Sequence, residues 1–156
     1  MKRSPALIPL SRDHHTGLLL CWKIRAGLRN GIAADRIAAY VVYTYDQELA
    51  QHFREEEALI FPLLQANHPL VKEAMQQHVL LRNAIGLFKH TQLTAQDLRD
   101  FADLLDIHIR LEERQLFPSI EQLADPVLLE EAGLRLRASH TPHPLQWDDD
   151  FWTKKR

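Results

Sequence analysis

Cysteine is almost missing from this chain: Cys21 stands alone among 156 residues. A single thiol excludes an intrachain disulfide and suits a reducing cytoplasm, the compartment expected here. Glycine is scarce too, with five in the chain, and β-branched residues nowhere alternate with polar ones at period two. Strands and hairpins are therefore not expected, and the apolar residues recur at helical spacing instead. No apolar run approaches the roughly 20 residues of a membrane-spanning helix. The basic start, MKRSPALIPLSRDHH, has too short an apolar stretch for a signal peptide and is broken by Pro5 and Pro9. An excess of one charge is also absent. The formal net charge is -2, which leaves no general basic field, so neither nucleic acid nor a membrane is expected as a partner.

What is present is ordinary for one domain with one core: 46% hydrophobic and 26% charged residues. Five helices are predicted. The first runs from about Ser11 to Arg29 and is closed by Gly31. The second runs from Ala34 to about Gln65, with Pro62 bending or ending its last turn. The third spans Pro69 to His90, with proline acceptable at its start. The fourth begins at Thr94, with Asp97 three residues on as a capping signature, and reaches about Leu123. A shorter fifth covers Pro126 to Ala138. Long helices with short connections predict an all-α, up-down-up-down four-helix bundle over residues 1–140, followed by a tail over 141–156.

Histidine is abundant, with nine in the chain, and a motif repeats. HFREEEALIFP begins at His52 and HIRLEERQLFP at His108, both of the form H-x-R-x-E-E-x-x-x-F-P. His52 and Glu56 are i and i+4, so a helix places them on one face a turn apart. His108 and Glu112 repeat this on the fourth helix. Each pair interrupts an otherwise apolar stripe. Two facing buried carboxylates repel, and one would take up a proton unless a cation lay between them. The other helices offer matching donors. His78 shares a stripe with Val71, Met75, Leu81 and Ile85. On the first helix His14 is preferred because it lies with Leu7, Leu10, Leu18 and Cys21; its neighbour His15 is the alternative. The expected metal set is His14, His52, Glu56, His78, His108 and Glu112. Imidazole with carboxylate suits Fe, Zn or Mn, and six protein donors around two ions leave coordination positions open for a small molecule.

This pattern resembles the hemerythrin-like family, the HHE cation-binding domain: a histidine, then His-x-x-x-Glu, a histidine, and His-x-x-x-Glu again. Phe61-Pro62 and Phe117-Pro118 after each pair also look like the family. The likeness covers about Leu7 to Leu123. It implies a non-haem site of two Fe ions, with Zn or Mn as substitutes, bridged by carboxylates. Two departures stand out. Oxygen-carrying members usually have a second histidine one turn before the third-helix ligand, where this chain has Ala74. Their last carboxylate is usually an aspartate five residues after its histidine, whereas here Glu112 follows at four. The resemblance therefore implies binding or sensing of O2, NO or peroxide, or iron handling, rather than plain oxygen carriage. The alternative is a metal-dependent enzyme of oxidase or peroxidase type, with Glu48 as general base.

Other residues have blander expectations. Glu57 and Glu113, about 100° round the helix from the ligands, are expected in water or paired with Arg54 and Arg110; support of the ligands is the alternative. His68 is expected in a loop, His90 at a helix C-terminus, and His140 and His143 in a solvated tail. Tyr45 is the tyrosine able to approach the metals, and Cys21 is expected as a small core residue. Trp147 and Trp152 can fold onto the bundle or onto a second copy of the chain or a partner protein.

Overall fold

The computed structural model describes residues 2–141 and 143–154; Met1, Pro142, Lys155 and Arg156, which fall within the expected domain and tail, lie outside the described residues. Helix α1 is Ile8–Arg29. It starts a turn before the expected Ser11, because Pro9 sits in the first turn, where no backbone N–H is needed. Its end is set by Gly31, whose φ of 73° is open to glycine without strain. There the Gly31 and Ile32 N–H groups return to the Leu28 and Gly27 carbonyls at 3.1 and 3.0 Å.

Helix α2 covers residues 34–63 and is not regular. It consists of Ala34–Thr44, a π turn Tyr45–Leu49, Ala50–Glu55, a second π turn Glu56–Ile60 and a 3-10 turn Phe61–Leu63. Helix α3 is Pro69–His90. Helix α4 covers residues 95–123, with a π turn Glu112–Leu116 between Ala95–Leu111 and Phe117–Leu123. Helix α5 is Pro126–Ser139. No strand occurs among the described residues.

The π turns fall at the same place in both motif copies. The Phe61 N–H bonds the Glu56 carbonyl, and the Phe117 N–H bonds the Glu112 carbonyl, each across five residues. Proline follows directly in both. It lacks an N–H and crowds the carbonyl four residues back, and a widened turn before it is one way to relieve that conflict. At α4 the helix continues beyond Pro118 to Leu123, whereas α2 ends at Leu63, two residues short of the expected Gln65. The starts of α4 and α5 are capped. Thr94 and Asp97 form the expected reciprocal capping box, and Asp125 accepts from the Val127 and Leu128 N–H groups.

The apolar core has two parts. One gathers Leu20, Ile24, Phe53, Leu81, Leu105 and Ile109 with their neighbours. The other gathers Leu10, Ile60, Ala74, Leu116 and Ile120 with theirs. On α1 and α3 the chain passes from the second cluster to the first; on α2 and α4 it passes from the first to the second. The buried polar residues lie between them. Ala74, not the expected Met75, is the buried residue one turn before His78; Met75 is 38% exposed.

The tail lies on its own bundle. Phe151 is buried, and a Cβ at Gly27 would stand 2.7 Å from its ring. Trp147 tilts over Tyr43 with ring centroids 4.9 Å apart, Lys23 sits 4.0 Å from the Trp152 ring, and Arg36 pairs with Asp149 at 2.6 Å. Both tryptophans rest against the bundle surface. Among the described residues no helix is long and apolar enough to cross a membrane.

Candidate metal centre

The six expected donors converge. His14, His52, Glu56, His78, His108 and Glu112 are all buried, none more than 4% exposed. His15 is exposed, so α1 presents His14. The donors form two groups, His14–His52–Glu56–Glu112 and Glu56–His78–His108–Glu112, each with its ligand atoms within 4.8 Å of one another. Both carboxylates belong to both groups. The Glu56 Oε1 lies 3.2 Å from His52 Nε2 and 3.1 Å from His78 Nε2. Glu112 Oε1 lies 2.8 Å from His108 Nε2 and 3.4 Å from His14 Nε2.

These distances satisfy few of the atoms. His14 Nε2, His52 Nε2, His108 Nε2, Glu56 Oε2 and both Glu112 oxygens are buried without a hydrogen-bond partner. The close His108–Glu112 approach is made within one helix and lacks the alignment of a hydrogen bond. Each unsatisfied buried polar group costs about 1–3 kcal/mol, so six at one point are an arrangement without a reason unless something binds them. Bound metal cations, met by imidazole nitrogen and carboxylate oxygen, fit these orphaned atoms.

The outward-facing ring nitrogens are satisfied, and in a regular way. His14 Nδ1 meets Glu113 at 2.6 Å, His52 Nδ1 meets Asp13 at 2.9 Å, His78 Nδ1 meets Glu57 at 2.6 Å, and His108 Nδ1 meets Gln77 Oε1 at 2.6 Å. A carboxylate or amide oxygen can only accept, so the imidazole proton sits on Nδ1 and the Nε2 lone pair faces inward, the tautomer a metal requires. Each backing group is the chain neighbour of a donor. Asp13 precedes His14 and backs His52; Glu57 follows Glu56 and backs His78. Gln77 precedes His78 and backs His108; Glu113 follows Glu112 and backs His14. The supports thus pass from α1 to α2, α2 to α3, α3 to α4 and α4 back to α1. A neighbour about 100° round a helix faces the adjacent helix when the ligand faces the centre.

The expected partners of Glu57 and Glu113, Arg54 and Arg110, are therefore replaced. Glu57 pairs instead with Arg82 at 2.8 Å, and Glu113 with Arg3 at 2.8 Å. Both arginines come from outside the motif, so the motif alone could not name them. Asp13 and Gln77 had no role in the sequence reading. The signal that could have found them is their place beside a ligand, one step round the helix.

The metal-free site is electrostatically awkward. Burial pushes the Glu56 carboxyl well above its usual range, and the facing Glu112 adds to the rise. Burial acts the same way on Glu112, but the charge of His108 and the neighbouring Glu56 carboxyl outweigh it and hold Glu112 well below that range. The two facing acids thus resist carrying a charge each, and a cation between them would serve both. Burial, with His108 beside it, takes His78 down to about 4. Burial also works against protonation of His14, yet Glu112 and Glu113 bring it up to about 8.

The remaining expectations divide. Glu48 does not join the centre: its Oε1 accepts the His143 backbone N–H at 3.1 Å. Tyr45 packs edge-on against Phe53, with centroids 6.2 Å apart. His68 caps α3 by accepting the Leu70 N–H, and His90 is exposed at its C-terminus. Cys21 is buried, with its thiol donating to the Ala102 carbonyl. His140 is not a solvated tail residue. It is tied to Glu55 at 3.0 Å and Asp13 at 3.2 Å.

An all-helical chain that buries four imidazoles and two carboxylates around orphaned donor atoms defines a class, the helical cation-binding proteins. The family model of the hemerythrin HHE cation-binding domain matches residues 9–120, and the chain belongs to that family. No curated protein and no solved structure matches it.

Proposed function

We propose that the centre holds two iron ions, with zinc or manganese as substitutes, and that the chain binds or senses O2, NO or peroxide, or handles iron, in the cytoplasm. His14 and His52 would hold one ion and His78 and His108 the other, with Glu56 and Glu112 shared between the two groups. The observation that carries this reading is the pair of donor groups sharing both carboxylates, with six of their inward atoms unpartnered. Iron would supply redox chemistry and open coordination positions for a small ligand. The protein's part is to supply a buried setting, fixed imidazole tautomers and two carboxylates.

The alternating passage of the four long helices between the two apolar clusters supports an up-down-up-down arrangement. That arrangement brings the two motif copies to one level. Ala74, fully buried where oxygen carriers of the resembled family have a ligand, favours sensing or iron handling over reversible carriage. The enzyme alternative gains no support from Glu48, which is engaged by the tail. Anaerobic loading with Fe(II), followed by elemental analysis, is expected to give two ions per chain, one for each donor group. Exposure to air, NO or peroxide is then expected to change the ultraviolet-visible spectrum. Fewer than one ion per chain after loading would overturn the reading.

A further inference from the structure

His140 lies beyond the residues matched by the family model, which end at 120, yet it reaches the centre through one intermediate. Its Nδ1 hydrogen-bonds Glu55 Oε1 at 3.0 Å and its Nε2 stands 3.2 Å from Asp13 Oδ1. The other Asp13 oxygen, Oδ2, accepts from His52 Nδ1 at 2.9 Å. Asp13 thus lies between a donor of the centre, which hydrogen-bonds it, and the first residue after α5, which stands beside its other oxygen. Glu55 is itself fixed, being 7% exposed and accepting a hydrogen bond from the Ser139 hydroxyl. His140 is anchored by its own backbone, whose N–H bonds the Leu136 carbonyl at 2.7 Å.

The same logic recurs at two other imidazoles. Arg3 holds Glu113 behind His14, and Arg82 holds Glu57 behind His78. Every carboxylate that backs an imidazole here has a nitrogen group close on its far side, and for Asp13 that group is His140. We propose that His140 is a positioning residue of the metal centre. It locks the Asp13 carboxylate so that His52 keeps Nδ1 as its donor and aims Nε2 at the cation. The segment after α5 is then a working part of the cation site. This rests on the metal-binding reading above.

The test uses the full chain with Co(II), measured by chelator competition and by the hyperfine-shifted Nδ1–H proton resonances of the bound histidines. His140→Ala is expected to weaken Co(II) binding by about 10-fold, at the lower end of the loss typical of groups behind a ligand. It should also shift one Nδ1–H resonance, that of His52, and leave the other three in place. The amide nitrogen of His140→Gln stands in for Nε2 and can reach Asp13, so this variant should restore most of the affinity. His140→Asn places its nitrogen where Nδ1 was, toward Glu55, and should restore little. Phe151→Ala loosens the tail elsewhere and controls for stability. It should lower the melting temperature of the metal-free protein with little change in Co(II) affinity. Unchanged affinity and resonances in His140→Ala overturn the proposal. So does a loss of affinity that merely follows melting temperature across His140→Ala and Phe151→Ala. A wild-type chain that binds no Co(II) overturns the metal reading itself, and this inference with it.

Discussion

Four imidazoles turn their Nε2 atoms inward because each has its Nδ1 held by an oxygen. Three of those oxygens are carboxylates and one is the amide of Gln77, the neutral member of the set. Gln77→Ala leaves the His108 Nδ1–H without its acceptor and is expected to weaken cation binding by about 10–100-fold, read by Co(II) competition. Gln77→Glu keeps an acceptor and adds a charge, so it should bind more tightly than Gln77→Ala. The titrations give a second expectation, for the metal-free protein. His78 has a folded pKa of about 4, below its ordinary 6.5, so its contribution is present above 6.5 and is lost as pH falls toward 4. His14 has a folded pKa of about 8, above the same reference, so its contribution is complete below 6.5 and is lost as pH rises through 8. Melting temperature in chelator is expected to peak between these windows, near pH 6.5, and to fall on both sides. A monotonic profile would show that other groups dominate.

Helix α1 is gripped along its length. It contributes His14 and Asp13 to the centre, and farther along it seats the tail at Gly27. A side chain at Gly27 meets Phe151 at 2.7 Å and Ile37 at 3.0 Å. Gly27→Val must therefore displace the Phe151 ring, and overpacking of this kind costs about 1–3 kcal/mol. Thermal unfolding of the variant is expected to show that loss, with indole fluorescence reporting release of Trp147 and Trp152. The π turns Glu56–Ile60 and Glu112–Leu116 follow the same local logic. Each places a Glu carbonyl under a Phe N–H just before proline, so the polar layer and the irregular turn share one stretch of helix.

The centre lies between two apolar clusters, so its occupancy and the stability of the whole fold are linked. Buried carboxylates and imidazoles that repel or stand unpartnered in the metal-free chain become satisfied when cations bind. Ligand binding to the folded state alone adds about 2.7 kcal/mol when free ligand is a hundred times its dissociation constant. Removal of metal by chelator is expected to lower the melting temperature and leave the far-ultraviolet helical signal below the transition nearly intact, because both apolar clusters persist. Glu112→Ala should show that lower stability already with iron present, since it removes one of the two shared carboxylates. Calorimetry with and without chelator reads both effects.

The helices, the spacing of His52 with Glu56 and of His108 with Glu112, and the inward placing of His14 rather than His15 were all legible in the chain. Helical periodicity is local, and an i, i+4 pair shares a face whatever surrounds it. The capping box at Thr94 and the close at Gly31 were legible for the same reason. The partners of the outer nitrogens were not. They are 39, 21, 31 and 99 residues from the histidines they hold, and only the packing of one helix beside another decides such pairs. Arg3, Arg82 and His140 were hidden for that reason too, as was the resting place of the tail. Sequence alone determined which donors stand on which helix face. Tertiary structure decided what aims them, because a hydrogen bond from a neighbouring helix has no period along the chain.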